Sequence, residues 1–114
     1  MIVGFEEETE ELTQYELEVL VPLMVKGLST KIGSKSAITN KRIREKLSEK
    51  DIDVSDPRIR KVINYIRMNG LVKNLIASSK GYYISTDIKE IEEYRQGLIS
   101  RANAILKLAK TYEI

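Results

Sequence analysis

The chain has 114 residues, with 19 Lys and Arg, 17 Asp and Glu, and no His, Cys or Trp. That length suits one domain burying roughly two-thirds of the unfolded chain's surface. Without Cys there is no disulfide framework, thiolate nucleophile or Cys-held zinc, and without His no imidazole base, Ser-His-Asp triad or His metal ligand.

The net charge of +2 hides a segregation along the chain. Residues 1–18 carry seven glutamates and no base, so they form an acidic arm (residues 1–11) running into the first helix. Residues 26–80 carry 14 Lys and Arg against five acids, a local net of +9, and residues 81–114 are balanced at five of each. A basic middle suits a polyanion, or it is simply a solvated Lys-rich surface. The apolar opening at residues 1–5 is too short for a signal-peptide core. The seven apolar residues 19–25 fall far short of the ~20 that cross a bilayer. A soluble, cytoplasmic protein is expected, with no membrane partner.

The first helix is expected over residues 13–31. Thr13-Gln14-Tyr15-Glu16 reads as a capping box, and Leu12 and Leu17 are spaced as its hydrophobic staple. Pro22 should kink this helix, because its ring clashes with the carbonyl four residues earlier, and Gly33 is its stop signal. Leu17, Leu20, Val21, Leu23, Met24, Val25 and Leu28 leave little polar face, so the helix needs cover on more than one side.

A loop at 34–36 and a very short strand at 37–38 follow. Thr39 caps a second helix over 40–49, which buries Ile43 and Leu47. After an acidic turn, Asp56-Pro57 reads as an N-cap acid followed by proline at the first helical position. The third helix then runs to residue 69, with Gly70 as its left-handed stop.

Beyond Gly70 the hydrophobic period falls from 3.6 to 2. Residues 75–78 and 82–85 alternate as strands around a Ser79-Lys80-Gly81 tip, with Gly81 supplying a positive φ. Asp87 and Glu90 then form a second capping box, opening a helix to residue 112, about 37 Å long at 1.5 Å per residue. Helix, short strand, helix, helix, hairpin, long helix is a mainly α order with a small β-hairpin. It is the order of a winged helix-turn-helix (residues 12–86) with an added C-terminal helix (residues 87–114).

The third helix carries the strongest functional pattern. Ile59, Val62, Ile63 and Ile66 fall on one arc as a core stripe. The opposite arc holds Arg60, Lys61, Asn64, Arg67 and Met68, with Arg58 and Tyr65 at its margin. Arg pairs with guanine O6 and N7, and Asn with adenine N6 and N7, so Arg60, Lys61, Asn64 and Arg67 are the expected base readers. Lys80 at the hairpin tip, Ser79 beside it and Lys73 before the first strand are placed for phosphate. So are Lys41 and Arg42 in the first turn of the second helix. Of Tyr82 and Tyr83, which face opposite sides of their strand, one belongs in the core and the other is free for a groove contact. Asp51 and Asp53 count against a nearby polyanion and have no evident local reason.

Along the final helix Ile91, Leu98, Ile105 and Tyr112 recur every seven residues, with Tyr94 and Leu108 at intervening d positions and Arg101 as a fault. This seam predicts a homodimer, or else packing on the first helix of the same chain. Gly33-Ser34-Lys35-Ser36 resembles the end of a P-loop, but the earlier glycine is replaced by Leu28 and no strand precedes it. The glutamate run at 6–11 lacks the Asn, Asp and Gly geometry of a cation loop. No metal, cofactor or small-molecule substrate is expected, and no enzymatic activity.

Ser78-Ser79-Lys80-Gly81-Tyr82-Tyr83-Ile84, followed by Glu90, Glu93, Tyr94, Leu98 and Arg101, resembles small winged-helix proteins encoded by bacteriophages and prophages. Lys61 to Arg67 closing at Asn69-Gly70-Leu71, and Leu12 to Glu16 continuing to Pro22 and Lys26-Gly27-Leu28, fit the same group. Over residues 12–101 this resemblance implies duplex DNA binding in phage replication or gene regulation. The alternative expectation is a protein-interaction adaptor that uses the same fold as a scaffold.

Overall fold

A computed structural model describes residues 10–113, so residues 1–9 of the acidic arm and Ile114 lie outside the described residues. Helices make up 60% of the described residues, which also hold one two-stranded antiparallel hairpin. The first capping box forms in both directions. Thr13 N–H donates to Glu16 Oε1 at 2.8 Å and Glu16 N–H to Thr13 Oγ1 at 3.1 Å.

The chain then winds through a π-helical turn, Glu16–Leu20, into α1, Val21–Leu28. The kink expected at Pro22 takes this form. Val21 N–H reaches back five residues to the Glu16 carbonyl, widening the turn at the proline, which has no N–H to donate. Leu12 packs against the core while Leu17 stays 40% exposed, so the expected staple is only half realised. The helix also stops at Leu28 rather than at 31. The Ser29 hydroxyl takes the Val25 carbonyl at 2.6 Å and the Thr30 hydroxyl that of Gly27 at 2.8 Å, in competition with further helical bonds.

Helix α2, Asn40–Ser48, is capped by Thr39, whose hydroxyl accepts from Arg42 N–H at 3.1 Å. It closes with Asp51 in the left-handed region at φ 59°, with Ile52 N–H on the Leu47 carbonyl at 3.0 Å and Asp51 N–H on that of Ser48 at 3.0 Å. Asp is among the few side chains that tolerate this conformation, which gives Asp51 a local reason. Helix α3, Asp56–Met68, is capped by Ser55 and not by Asp56. Ser55 is extended and its Oγ accepts from Arg58 N–H, whereas the Asp56 carboxylate lies 3.6 Å from Arg44 Nη1. Gly70, at φ +62°, ends α3 with Leu71 N–H on the Ile66 carbonyl at 3.0 Å.

The α3 stripe is the centre of the core: Ile59, Val62, Ile63 and Ile66 are all 0–2% exposed. They pack with Leu20, Met24 and Leu28 before and within α1, and with Ile43 and Leu47 of α2. Each such side chain contributes roughly 1.5–3 kcal/mol on burial.

Strands β1, Leu75–Ser78, and β2, Gly81–Ile84, pair with Ala77 opposite Tyr82 and Ser78 opposite Gly81. Strand β2 therefore starts one residue earlier than expected, and Ser79 and Lys80 alone make the tip. Ile38 adds a one-residue bridge to Tyr82 through bonds of 2.8 and 3.0 Å, in place of the expected short strand.

Helix α4, Ile88–Ala109, is capped by Asp87, which accepts from Lys89 N–H at 2.9 Å. Glu90 does not complete the second capping box. It accepts instead from the Tyr83 hydroxyl at 2.9 Å and from the Ser85 hydroxyl, tying α4 to the hairpin. Every residue from 95 to 113 is exposed, so α4 projects from the domain. The radius of gyration, 15.8 Å, accordingly exceeds the ~13 Å of a compact chain this long.

Candidate nucleic-acid interface

Residues three and four apart share a helix face, so Arg60, Lys61, Asn64 and Arg67 rise from α3 on the side opposite its buried stripe. The hairpin stands beside them. Together they line a cleft of about 560 Å³ whose other wall is Ala77 and Tyr82. All four expected base readers therefore meet in one place. Among the described residues its lining has no carboxylate, and Asp51, Asp53 and Asp56 do not reach it.

The register decides between the two tyrosines. Tyr83 is 6% exposed and belongs to the core, while Tyr82 faces the cleft. Its hydroxyl lies 3.4 Å from Asn40 Oδ1. Burial pushes its pKa above the usual phenol value, against the opposing pull of Arg60 and Arg67, so it stays a neutral donor. The alternation of the strand signalled that one tyrosine would do this, but not which one. That depends on pairing Ala77 with Tyr82, which no local pattern specifies.

Arg67 is not a free reader. Its Nη2 donates to the Tyr94 hydroxyl at 2.7 Å, and its guanidinium sits 5.9 Å from the Tyr94 ring centroid. Ala77 N–H also points at that hydroxyl, at 3.4 Å. Tyr94, expected in the α4 seam, is thus half-buried against its own domain, where it links α3, β1 and α4. Ile91 is half-buried too. The rest of the expected seam is open: Leu98 is 40% exposed, Ile105 67%, Leu108 58% and Tyr112 71%. Tyr112 also falls beyond the last residue of α4.

The expected phosphate ligands stand outside the cleft. Lys41, Lys73, Ser79 and Lys80 are exposed, and Lys80 N–H tightens the hairpin tip by donating to Ser78 Oγ at 3.2 Å. Arg42 lies 3.6 Å from Glu45 and 3.8 Å from Glu49, exposed pairs that contribute little to stability and that a phosphate can displace.

Sequence reasoning missed Arg58, which turns inward from the margin of the outer arc. Its Nε donates to Glu16 Oε2 at 2.9 Å and its Nη2 to Glu16 Oε1 at 2.5 Å. It also holds the main-chain carbonyls of Glu10 and Glu11, at 3.0 and 3.1 Å. The Arg58 hydrogen bonds keep the Glu16 carboxyl below the usual carboxylate range despite its burial. No spacing marks such a pair, because its partners are 42 residues apart.

Among the described residues no His, Cys, Asp and Glu side chains cluster as metal ligands, and no helix is long and apolar enough to cross a membrane. No protein-family model, curated protein or solved structure matches the chain.

Proposed function

We propose that the protein is a non-enzymatic, duplex-DNA-binding winged helix-turn-helix protein. It works as a homodimer in the cytoplasm, in phage or prophage gene regulation or replication. The observation that carries this reading is the convergence of Arg60, Lys61, Asn64 and Tyr82 on one cleft. In this reading α3 enters the major groove, where Arg60 and Lys61 address guanine edges and Asn64 an adenine edge. Arg67, braced by Tyr94, adds fixed positive charge beside them. Lys73, Ser79 and Lys80 on the hairpin side, and Lys41 and Arg42 at the start of α2, take backbone phosphates and set the register.

The test is binding to random-sequence and phage or host duplexes across a salt series. Log K should fall linearly with log[salt], and Lys73→Ala or Lys80→Ala should each reduce the slope by about one. Arg60→Ala should instead relax preference at one base pair, costing about 1–3 kcal/mol there. No binding at low salt would leave the adaptor reading in its place.

The dimer rests on α4, whose apolar residues Leu98, Ile105 and Leu108 are 40–67% exposed. Two copies joined there would read half-sites one helical turn apart. Light scattering on Leu98→Lys with Ile105→Lys should give a monomer where the unaltered chain gives a dimer. A monomeric unaltered chain at high concentration removes the dimer from the reading.

A further inference from the structure

The projecting part of α4 exposes more apolar surface than one seam accounts for. Leu98, Ile99, Ile105, Leu106 and Leu108 are all exposed, and residues 97–109 add three alanines. The polar residues of that span are Ser100, Arg101, Asn103 and Lys107. A helix that is apolar around so much of its circumference belongs in a covered position.

Leu98, Arg101, Ile105 and Leu108 form the seam already described. Ile99, Ala102, Leu106 and Ala109 repeat the same alternation of three and four residues, one position further along. One residue turns an α-helix by about 100°, so the second seam lies a little more than a quarter-turn from the first. In a square four-helix bundle the two neighbours of each helix stand about 90° apart, against about 60° in a three-helix bundle. Leu98, Ala102, Ile105 and Ala109 fill the arc between the two seams, where a bundle helix faces its axis. Bundle helices carry such a three-in-seven apolar face, whereas a two-stranded coil carries a strict two-in-seven. Gln96, Ser100, Asn103, Lys107 and Lys110 fall on the opposite arc, which a bundle leaves in water.

Each seam admits one arginine. Arg101 interrupts the first, and Arg95 stands one turn before Ile99 in the second, 3.2 Å from Glu92 of the same helix. Both can lay their aliphatic stems along a seam and keep the charged heads in water. Because the second seam adjoins the first and has the same spacing, a further pair of copies covers it without any other protein.

We infer that two α4-joined dimers pair through Ile99, Ala102, Leu106 and Ala109, closing a four-helix bundle and making the assembly a tetramer. This rests on the self-association through α4 proposed above and extends it from two copies to four. With alanine at every second position, the second seam buries less apolar surface than the first. Dimers therefore form first, and tetramers follow as concentration rises.

The test is sedimentation of the full chain across a concentration series. The mass should climb from twice to four times the 13.1 kDa of one chain and stop there. Ile99→Lys combined with Leu106→Lys should hold the protein as a dimer at every concentration. Ile99→Ala with Leu106→Ala, which places a strong helix former at both positions, should raise the concentration needed for tetramers at least about tenfold. Unchanged helix content by circular dichroism would show that α4 stays formed in these variants. An unaltered chain that remains a dimer throughout would overturn the inference and assign the second seam to a different partner, with the dimer reading intact. A monomer throughout would remove both. Tetramers that persist in either double variant at unaltered concentration, or growth beyond four copies, would also overturn it.

Discussion

Replacing Arg58 with Met is expected to destabilise the domain by about 3 kcal/mol, because removing one partner strands the other charge in a buried site. The Glu16 side chain is 8% exposed and that of Arg58 14%, so water cannot replace the lost bonds. The same change frees the carbonyls of Glu10 and Glu11. For a domain of this size the melting temperature should fall by at least about 12 °C. The pH dependence has a defined sign. The Glu16 carboxyl is held below its ordinary value in the folded state, chiefly by the Arg58 hydrogen bonds. Its stabilisation is therefore full above the unfolded carboxylate value of about 4.3 and is lost as pH falls through the lower folded value. The gap in melting temperature between the unaltered protein and Arg58→Met should be widest near neutral pH and narrow below about pH 4. Thermal melts by circular dichroism from pH 7 to pH 3 measure this. A variant within two or three degrees of the unaltered protein at pH 7 would show that the pair contributes little.

The contrast between Arg58 and its neighbour Arg60 shows what was legible in the sequence. Helix boundaries that depend on a few adjacent atoms could be read: the Thr13–Glu16 box, the Thr39 cap and the Gly70 stop all stand where their residue types put them. So could the outer face of α3, since a spacing of three or four residues suffices to gather Arg60, Asn64 and Arg67. Where two local solutions compete, sequence spacing could not choose. Ser55 and Asp56 are both good caps, and in the fold Ser55 takes that position while Asp56 lies 3.6 Å from Arg44. Glu90 has the spacing of a capping residue, yet two hydroxyls from the hairpin claim it. Pairings across the fold left no local trace: Glu16 with Arg58, and Arg67 with Tyr94. The heptad in α4 was legible as a pattern, but Ile91 and Tyr94 serve the domain while Leu98 onward projects from it.

Two glycine-to-alanine changes in this chain should act in opposite directions. At Gly81 an added Cβ would lie 2.4 Å from the Ile38 carbonyl oxygen, 2.5 Å from its carbon and 2.9 Å from Thr39 N, all backbone atoms. Its φ of +117° adds strain of about 1–3 kcal/mol for any other residue. To relieve the clash β2 must retreat from Ile38, stretching both bonds of the bridge, Tyr82 N–H to Ile38 O at 2.8 Å and Ile38 N–H to Tyr82 O at 3.0 Å. Ile38 leads directly into the Thr39 cap of α2, and Tyr82 forms one wall of the α3 cleft. Gly81→Ala should therefore cost on the order of 3 kcal/mol or more, from strain together with the two weakened hydrogen bonds. Amide exchange at Ile38 and Tyr82 should accelerate before the rest of the domain opens. Gly97→Ala meets nothing within 4 Å, on an exposed helical face. There the change should add about 0.5–1 kcal/mol of helix stability, since glycine loses more backbone freedom than alanine on ordering. Exchange rates along α4 should slow in that variant while those of the hairpin stay unchanged. If Gly81→Ala melted together with the unaltered protein, the close approach of Ile38 to β2 would not be a constraint on the fold.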